Sequence, residues 1–366
     1  MSPKDAQLQA LVAPIASDLA AMREVISDAL SSDVPAVSDM TAHIGRFRGK
    51  QLRGALVLLC AHGRASGTPE RGDLAVVSAI VELIHLATLV HDDVLDGADK
   101  RRRVASVNRR WDNQVAVLLG DFLYSRAFHL STTLPTSLVS QLLSQITQEI
   151  CAGEIEQAAG RYDFEMPVEN YERIATAKTG ALYGAACELG MRYPGGSEFD
   201  GAEMRAFGRE LGLAFQIVDD LIDLEGDEAL AGKSTGTDVE DGKVTLAVLH
   251  TYRDAEAATR AAIRDAYTLP GLEDEPGGRL GRLLEVCDLG PGVGEARGRA
   301  RVLVERARAR LSRLPQGPSR DALHALRWRS MRCIRAGCNR SAPIARVVSW
   351  PELRKLPEHC ALWQYP

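Results

Sequence analysis

The chain has 366 residues, 45% hydrophobic and 25% charged, the balance of a globular protein able to bury a sizeable core. A net charge of −5 leaves no global basic field for nucleic acid, and 5% aromatic residues argue against a base-stacking surface. Seven irregularly spaced cysteines do not make a disulfide framework, so a reducing cytoplasm is the expected setting.

The first twenty residues carry Asp5 and Asp18 within an amphipathic pattern, unlike a signal peptide. Apolar residues at three- and four-residue spacing predict helices over about 4–30, 35–46, 51–64, 71–96, 112–131, 134–160, 168–190, 200–225, 243–265 and 292–313. The most apolar run, "LAVVSAIVELIHLATLVHDD", is interrupted by Ser78, Glu82 and His85 and reads as a helix buried in protein rather than in lipid. Turn-forming stretches such as "GRASGTPERG", "YPGGSEFDG" and "LPGLEDEPGG" separate these helices, and strand signals are almost absent. The expectation is an all-α fold: a single large helical domain of about ten or more helices over residues 1–326, around a deep central cavity. Residues 327–366 form a tail of different character, basic and holding three of the seven cysteines and three of the four tryptophans. A zinc site there on Cys333, Cys338, His359 and Cys360 would have poor spacing.

Two acidic clusters stand out. "HDDVLDGADKRRR" sets Asp92, Asp93 and Asp96 at the end of the apolar run, and "FQIVDDLID" repeats the spacing with Asp219, Asp220 and Asp223. Residues four apart share a helix face, where like charges repel. One such cluster reads equally well as a solvated helix end. Two, each late in an apolar helix, suggest six carboxylates lining one cavity, an arrangement costing several kcal/mol without compensation. Hard oxygen donors without Cys or His favour magnesium, which is completed by water and substrate phosphate. A diphosphate is therefore the expected ligand.

Lys50 and Arg53 lie near a helix start, Arg101 and Arg102 follow the first acidic cluster, Lys178 sits in "ATAKTGALYG", and Lys233 and Lys243 flank a Gly-rich loop. Each is a candidate phosphate partner, and each taken alone reads as surface charge.

In this order, "GKQLR", "IHLATLVHDDVLDGADKRRR", "VNRRWDNQVAVLLGDFLYSRAF", "KTGAL", "FQIVDDLID" and "GKSTGTDVEDGKVTL" closely resemble the trans-type (E)-isoprenyl diphosphate synthases, over about residues 40–250. The resemblance implies head-to-tail condensation of isopentenyl diphosphate with an allylic diphosphate, Mg2+ as cofactor and a homodimer. It implies magnesium on Asp92, Asp93, Asp96, Asp219, Asp220 and Asp223. The allylic diphosphate would meet Arg101, Lys178, Thr179, Gln216, Lys233 and Lys243, and isopentenyl diphosphate Lys50, Arg53, His85 and Arg102. Without the resemblance, His85 reads as a core histidine.

The family usually has arginine and proline where this chain has Gln51 and Gly54, a glycine where Arg103 stands, and "PT" in place of Ala105-Ser106. Ala87 and Thr88, five and four residues before Asp92, occupy the family's chain-length gate. This small pair implies a medium- or long-chain all-trans product, with geranylgeranyl diphosphate the alternative. A terpene cyclase and a non-catalytic partner subunit are the competing readings: the first needs no isopentenyl site, and the second does not need both acidic motifs. A greasy product leaves room for peripheral membrane association.

Overall fold

Periodic apolar spacing becomes helix along nearly the whole chain. The computed structural model describes residues 13–47, 49, 51–64, 71–101, 104–193, 195–225, 236–272 and 277–330. After a single turn at Ala13–Ile15, the helices are α1 (Ala16–Ala29), α2 (Pro35–Ile44), α3 (Leu52–His62), α4 (Arg71–Leu95), α5 (Asn113–Thr132), α6 (Leu138–Ala159) and α7 (Val168–Ala175). They continue as α8 (Ala181–Arg192), α9 (Glu198–Glu225), α10 (Leu246–Asp254), α11 (Ala257–Thr268), α12 (Gly278–Val286), α13 (Gly290–Arg310) and α14 (Pro318–Ser330). The fold is all-α. Among the described residues the exception is a two-strand hairpin, β1 (Lys100–Arg101) against antiparallel β2 (Val104–Ala105), with Arg101 opposite Val104.

Two long helices organise the molecule. Helix α4 packs against α1, α3, α5 and α8. It passes for a membrane span by length and apolar composition, but Leu74, Val77, Ile80, Leu83, Ile84 and Val90 are completely buried, as in a core helix. Helix α9 packs against α8 and α13 and joins the two apolar clusters of the fold. Its Met204, Phe207 and Leu211 enter the cluster built on α1–α8, and its Ile217, Leu221 and Leu224 enter the one built on α10–α13.

Helices α8 and α9 touch backbone to backbone. A Cβ on Gly208 would lie 2.3 Å from the Tyr183 carbonyl oxygen, and one on Gly212 would lie 2.7 Å from Gly180 Cα. Glycine is required at both positions because the neighbouring backbone fills the space of a side chain. This contact brings the residues just before α8 against the C-terminal half of α9, where the second acidic motif lies.

The sequence expectations need four corrections. The helix expected over 243–265 is two, broken where Ala255 and Glu256 are extended. The break lets Tyr252 and Tyr267 both close on Phe164, with ring centroids 5.1 Å apart in each pair. Helices α12 and α14 were not anticipated. Gly277, Gly278 and Gly281 obscure the start of α12, and α14 mixes charge with only a few buried residues. The segment expected as one helix over 168–190 contains a π-helical turn at Thr176–Gly180. Helix α14 also runs past the expected boundary at residue 326, and residues 331–366 lie outside the described residues.

Candidate active site

Both acidic motifs close their helices. Asp92 and Asp93 lie in the last turn of α4 and Asp96 just beyond it, while Asp219, Asp220 and Asp223 occupy the last two turns of α9. A helix C-terminus carries partial negative charge, so neither end is a comfortable place for carboxylates. The protein answers with its own cations. Lys243, beyond the Gly-rich loop that follows α9, reaches Asp96 at 3.0 Å, and Asp241 and Asp238 at 3.2 and 3.3 Å. One ammonium group thus joins the first acidic motif to the Asp238–Asp241 segment, whose Asp238 N–H in turn meets Asp223 of the second. Burial disfavours its charge, but Asp238, Asp96 and Asp241 outweigh burial and hold its pKa above the usual lysine range.

The six aspartates fall into two groups. Asp93, Asp220 and Asp223 are buried and bound to protein. Asp93 accepts from Arg101 Nε at 2.7 Å on one oxygen, Oδ1. Asp220 accepts from the Tyr171 hydroxyl at 2.5 Å and from Gln216 Nε2 at 2.8 Å. Asp223 accepts from the Thr237 hydroxyl at 3.0 Å and the Asp238 N–H at 2.9 Å, capping the short turn Thr237–Glu240. Asp92, Asp96 and Asp219 keep part of their surface exposed.

Charge crowding shows in the titration. Burial pushes the Asp92 carboxyl up to about 7; Glu154 and Asp96 add to the shift, and Lys178 and Arg101 oppose it. Asp220 is also pushed up to about 7, by burial and then by Asp238, against the hydrogen bonds from Tyr171 and Gln216. Asp93 is raised by burial, with Arg101 opposing.

Lys178 is presented by the π turn, a distortion of the kind found at functional sites. Its ammonium rests on Glu154 at 2.8 Å and on Gln157. The adjacent Thr179 donates to Gln216 Oε1 at 2.6 Å, and Gln216 passes the connection on to Asp220. A continuous polar chain therefore runs from the surroundings of Asp92, through Lys178 and Thr179, to the second motif.

Such a site suits a hard cation. All its candidate donors are carboxylate oxygens, and one buried oxygen, Asp93 Oδ2, has no hydrogen-bond partner among the described residues. Among those residues no three His, Cys, Asp or Glu side chains gather closely enough to cage an ion by themselves. The protein supplies walls rather than a closed site, which matches magnesium's habit of keeping waters and taking substrate phosphate.

A model of the polyprenyl synthetase family matches residues 34–275. The chain belongs to the polyprenyl synthetase family. It is 34% identical over 313 residues to octaprenyl diphosphate synthase of Escherichia coli, covering 85% of this chain and 94% of that protein. The crystal structure of a decaprenyl diphosphate synthase from Rhodobacter capsulatus superposes with a TM-score of 0.81 at 33% identity, covering 89% of this chain and 99% of that one. A polyprenyl synthase from Caulobacter crescentus, complexed with calcium and isoprenyl diphosphate, gives a TM-score of 0.80 at 30% identity, covering 87% of this chain and 96% of that one.

Within this family framework, the structure brings together Asp92, Asp93, Asp96, Arg101, Lys178, Thr179, Gln216, Asp219, Asp220, Asp223 and Lys243. Lys50, Arg102 and Lys233 lie outside the described residues. Arg53 is buried, with its guanidinium 4.5 Å above the Tyr183 ring and its Nε unpartnered among the described residues. His85 is half-buried on α4. The helix start expected beside Lys50 and Arg53 is present, but one of its N–H groups is already taken: Gly54 donates to Glu82 Oε1 at 2.7 Å.

Of the pair expected at the chain-length gate, Ala87 is completely buried, whereas Thr88 keeps some exposure and bonds back to the His85 carbonyl at 2.8 Å. Residues five before an aspartate are not on quite the same helix face as the aspartate itself, and here the difference turns Ala87 inward. On the two preceding turns of α4, Ile84 and Ile80 are also buried.

Sequence reasoning did not single out Glu154, Gln157, Tyr171, Asp238 or Asp241. Glu154 and Gln157 stand three apart on one face of α6, but Gln145, Gln148, Glu149 and Glu156 in the same helix leave the pair without a distinct signal. Tyr171 carries no signal either, because its contact with Asp220 spans 49 positions in the chain.

Proposed function

We propose that this prenyltransferase condenses isopentenyl diphosphate head-to-tail with an allylic diphosphate, in a magnesium-dependent reaction giving an all-trans medium- or long-chain polyprenyl diphosphate. The observation that carries the reading is the relay between the two acidic motifs: Lys243 binds Asp96 and Asp238, the Asp238 N–H binds Asp223, and Arg101 and Lys178 sit on Asp93 and on neighbouring Glu154. A terpene cyclase needs no second diphosphate site, so the Arg53 and His85 region argues for condensation.

In this reading Asp92, Asp96 and Asp219 hold the metal directly. Asp93, Asp220 and Asp223, committed to protein partners, set the positions of Arg101, Gln216 and the turn bearing Asp238. Bound magnesium supplies charge withdrawal from the leaving diphosphate. Lys178, Arg101 and Lys243 orient the allylic diphosphate and stabilise the negative charge that grows on it as its C–O bond breaks. The isopentenyl double bond attacks the allylic cation, and the released diphosphate takes the proton whose loss restores the double bond. Lys50, Arg53, His85 and Arg102 belong to the isopentenyl diphosphate site, and Lys233 joins the allylic one.

Small Thr88 leaves the path below the metal site open, and the similar octaprenyl and decaprenyl synthases favour a long product over geranylgeranyl diphosphate. Helices α5 and α6 expose Val117, Leu118 and Ile155, with Leu118 60% and Ile155 71% accessible, an apolar surface suited to a second copy of the chain. In this reading the enzyme works in the cytoplasm, and its greasy product leaves room for peripheral membrane association.

The test is direct. The purified chain is incubated with labelled isopentenyl diphosphate, allylic primers of several lengths and magnesium, and its products are sized. Elongation by the chain alone supports the reading and excludes a non-catalytic subunit. Cyclised product without isopentenyl diphosphate consumption overturns it.

A further inference from the structure

Two positions where the chain departs from the family's usual residues, Gln51 and Gly54, meet the same neighbouring helix. Gln51 precedes α3 with φ of 52°, in the left-handed region that a non-glycine residue enters only at a cost. It has no capping bond of its own to α3. Its side-chain oxygen instead accepts from Arg23 Nε of α1 at 2.7 Å, while its carbonyl takes the Ala55 N–H and starts the helix. Three residues on, Gly54 gives its N–H to Glu82, a bond that proline has no hydrogen to make. A Cβ on Gly54 would lie 2.4 Å from Met22 Sδ, so the Met22 side chain of α1 packs directly over this glycine. Met22 and Arg23 are consecutive, which ties the close packing to the hydrogen bond. The strained residue stands between Lys50 and Arg53 in sequence, the two cations assigned above to isopentenyl diphosphate.

We propose that Arg23 is a positioning residue for isopentenyl diphosphate binding: from α1 it holds Gln51 in its left-handed conformation and so fixes the helix start that presents Arg53. This rests on the proposed function above. Strained backbone at binding loops persists only where its surroundings over-determine it. Here the over-determining contacts are the Arg23 hydrogen bond on one side and the Glu82 bond with Met22 packing on the other. Arg23 is solvent-exposed, so removing its side chain leaves the core untouched.

The test is a double-mutant cycle on the full chain, with Arg23→Ala, Gln51→Gly and both together, reading kcat and the KM of each diphosphate. Arg23→Ala is expected to raise the isopentenyl diphosphate KM about five- to thirty-fold, the range set by the ordinary cost of a left-handed residue. The allylic KM and kcat should stay within about two-fold, since Arg101, Lys178 and Lys243 are untouched. Glycine adopts positive φ freely, so in the Gln51→Gly background the same Arg23→Ala change should add little or nothing. An unchanged isopentenyl KM in Arg23→Ala overturns the proposal, as does an equal rise in both KM values. A rise that persists in full beside Gln51→Gly also overturns it, because Arg23 would then act by its charge alone. A parent chain that does not elongate any primer is a different result, one that sinks the function on which the inference rests.

Discussion

Metal binding should depend on pH near neutrality, because Asp92, a proposed direct ligand, must lose its proton to hold a cation and Asp220 beside the site changes charge over the same range. In the metal-free protein Asp92 and Asp220 each titrate near 7 rather than at the ordinary 3.8. A group with a pKa of about 7 is about nine-tenths ionised at pH 8 and about one-tenth at pH 6. Asp92, proposed as a direct ligand, therefore weakens metal binding about ten-fold over that interval, and Asp220, held by Tyr171 and Gln216, adds only a smaller effect through its charge. Calorimetric titration of magnesium, with a non-reactive allylic diphosphate analogue bound, in two buffers of different ionisation heat, reads both the affinity and the protons released. Asp92→Asn measured in parallel removes one of the two groups and accounts for protons on the analogue itself. Stability moves the opposite way. Both carboxyls hold protons more tightly folded than unfolded, so their contribution to metal-free stability is full below about pH 4 and is lost as pH rises through 7. Magnesium should offset that loss. An affinity equal at pH 6 and pH 8, without proton release, would show that Asp92 does not face the metal.

Three further outcomes follow from the same geometry. Asp92→Ala and Asp219→Ala should each slow turnover at least ~100-fold, about 2.7 kcal/mol of transition-state stabilisation, in initial-rate assays of folded protein; near-normal rates would refute their role as direct ligands. Tyr171→Phe removes a buried hydrogen bond to a carboxylate and should cost about 1.5–3 kcal/mol in denaturant unfolding, while moving the titration of Asp220 and the magnesium requirement to higher pH. Thr88→Phe should shorten the product seen by chromatography, whereas Ala87→Phe, which overfills a closed core position, should chiefly destabilise the fold by about 1–3 kcal/mol. The reverse result would make Ala87 the gate.

What the sequence disclosed was mostly what is local. The spacing of Asp92 to Asp96 and of Asp219 to Asp223 places each set on one helical turn, and the structure finds both at helix ends. Long apolar periodicity was enough for α4 and α9. The division of the aspartates into buried and part-exposed groups was not legible, because it depends on Tyr171, Arg101 and Thr237 arriving from other parts of the chain. Nor was the π turn at Lys178: it inserts itself into an apolar pattern that reads as continuous helix. The break after Asp254 was hidden for a related reason, since both sides carry the same helical period and only the convergence of Tyr252 and Tyr267 on Phe164 favours a bend.

The acidic motifs are balanced by the protein's own cations. Each cation assigned to the allylic diphosphate and described in the structure already holds a carboxylate or a neighbouring polar group: Arg101 on Asp93, Lys178 on Glu154 and Gln157, Lys243 on Asp96, Asp238 and Asp241. These pairs stand in for the charge that metal and substrate bring together. A metal ion alone would add positive charge beside Lys178 and Lys243, and a diphosphate alone would add negative charge beside Asp92 and Asp96. Only the two together leave the balance nearly unchanged, with the ammonium groups turning from carboxylate to phosphate as the ions take their place. Binding of magnesium and of the allylic diphosphate should therefore each tighten the other by the same factor, as linkage requires.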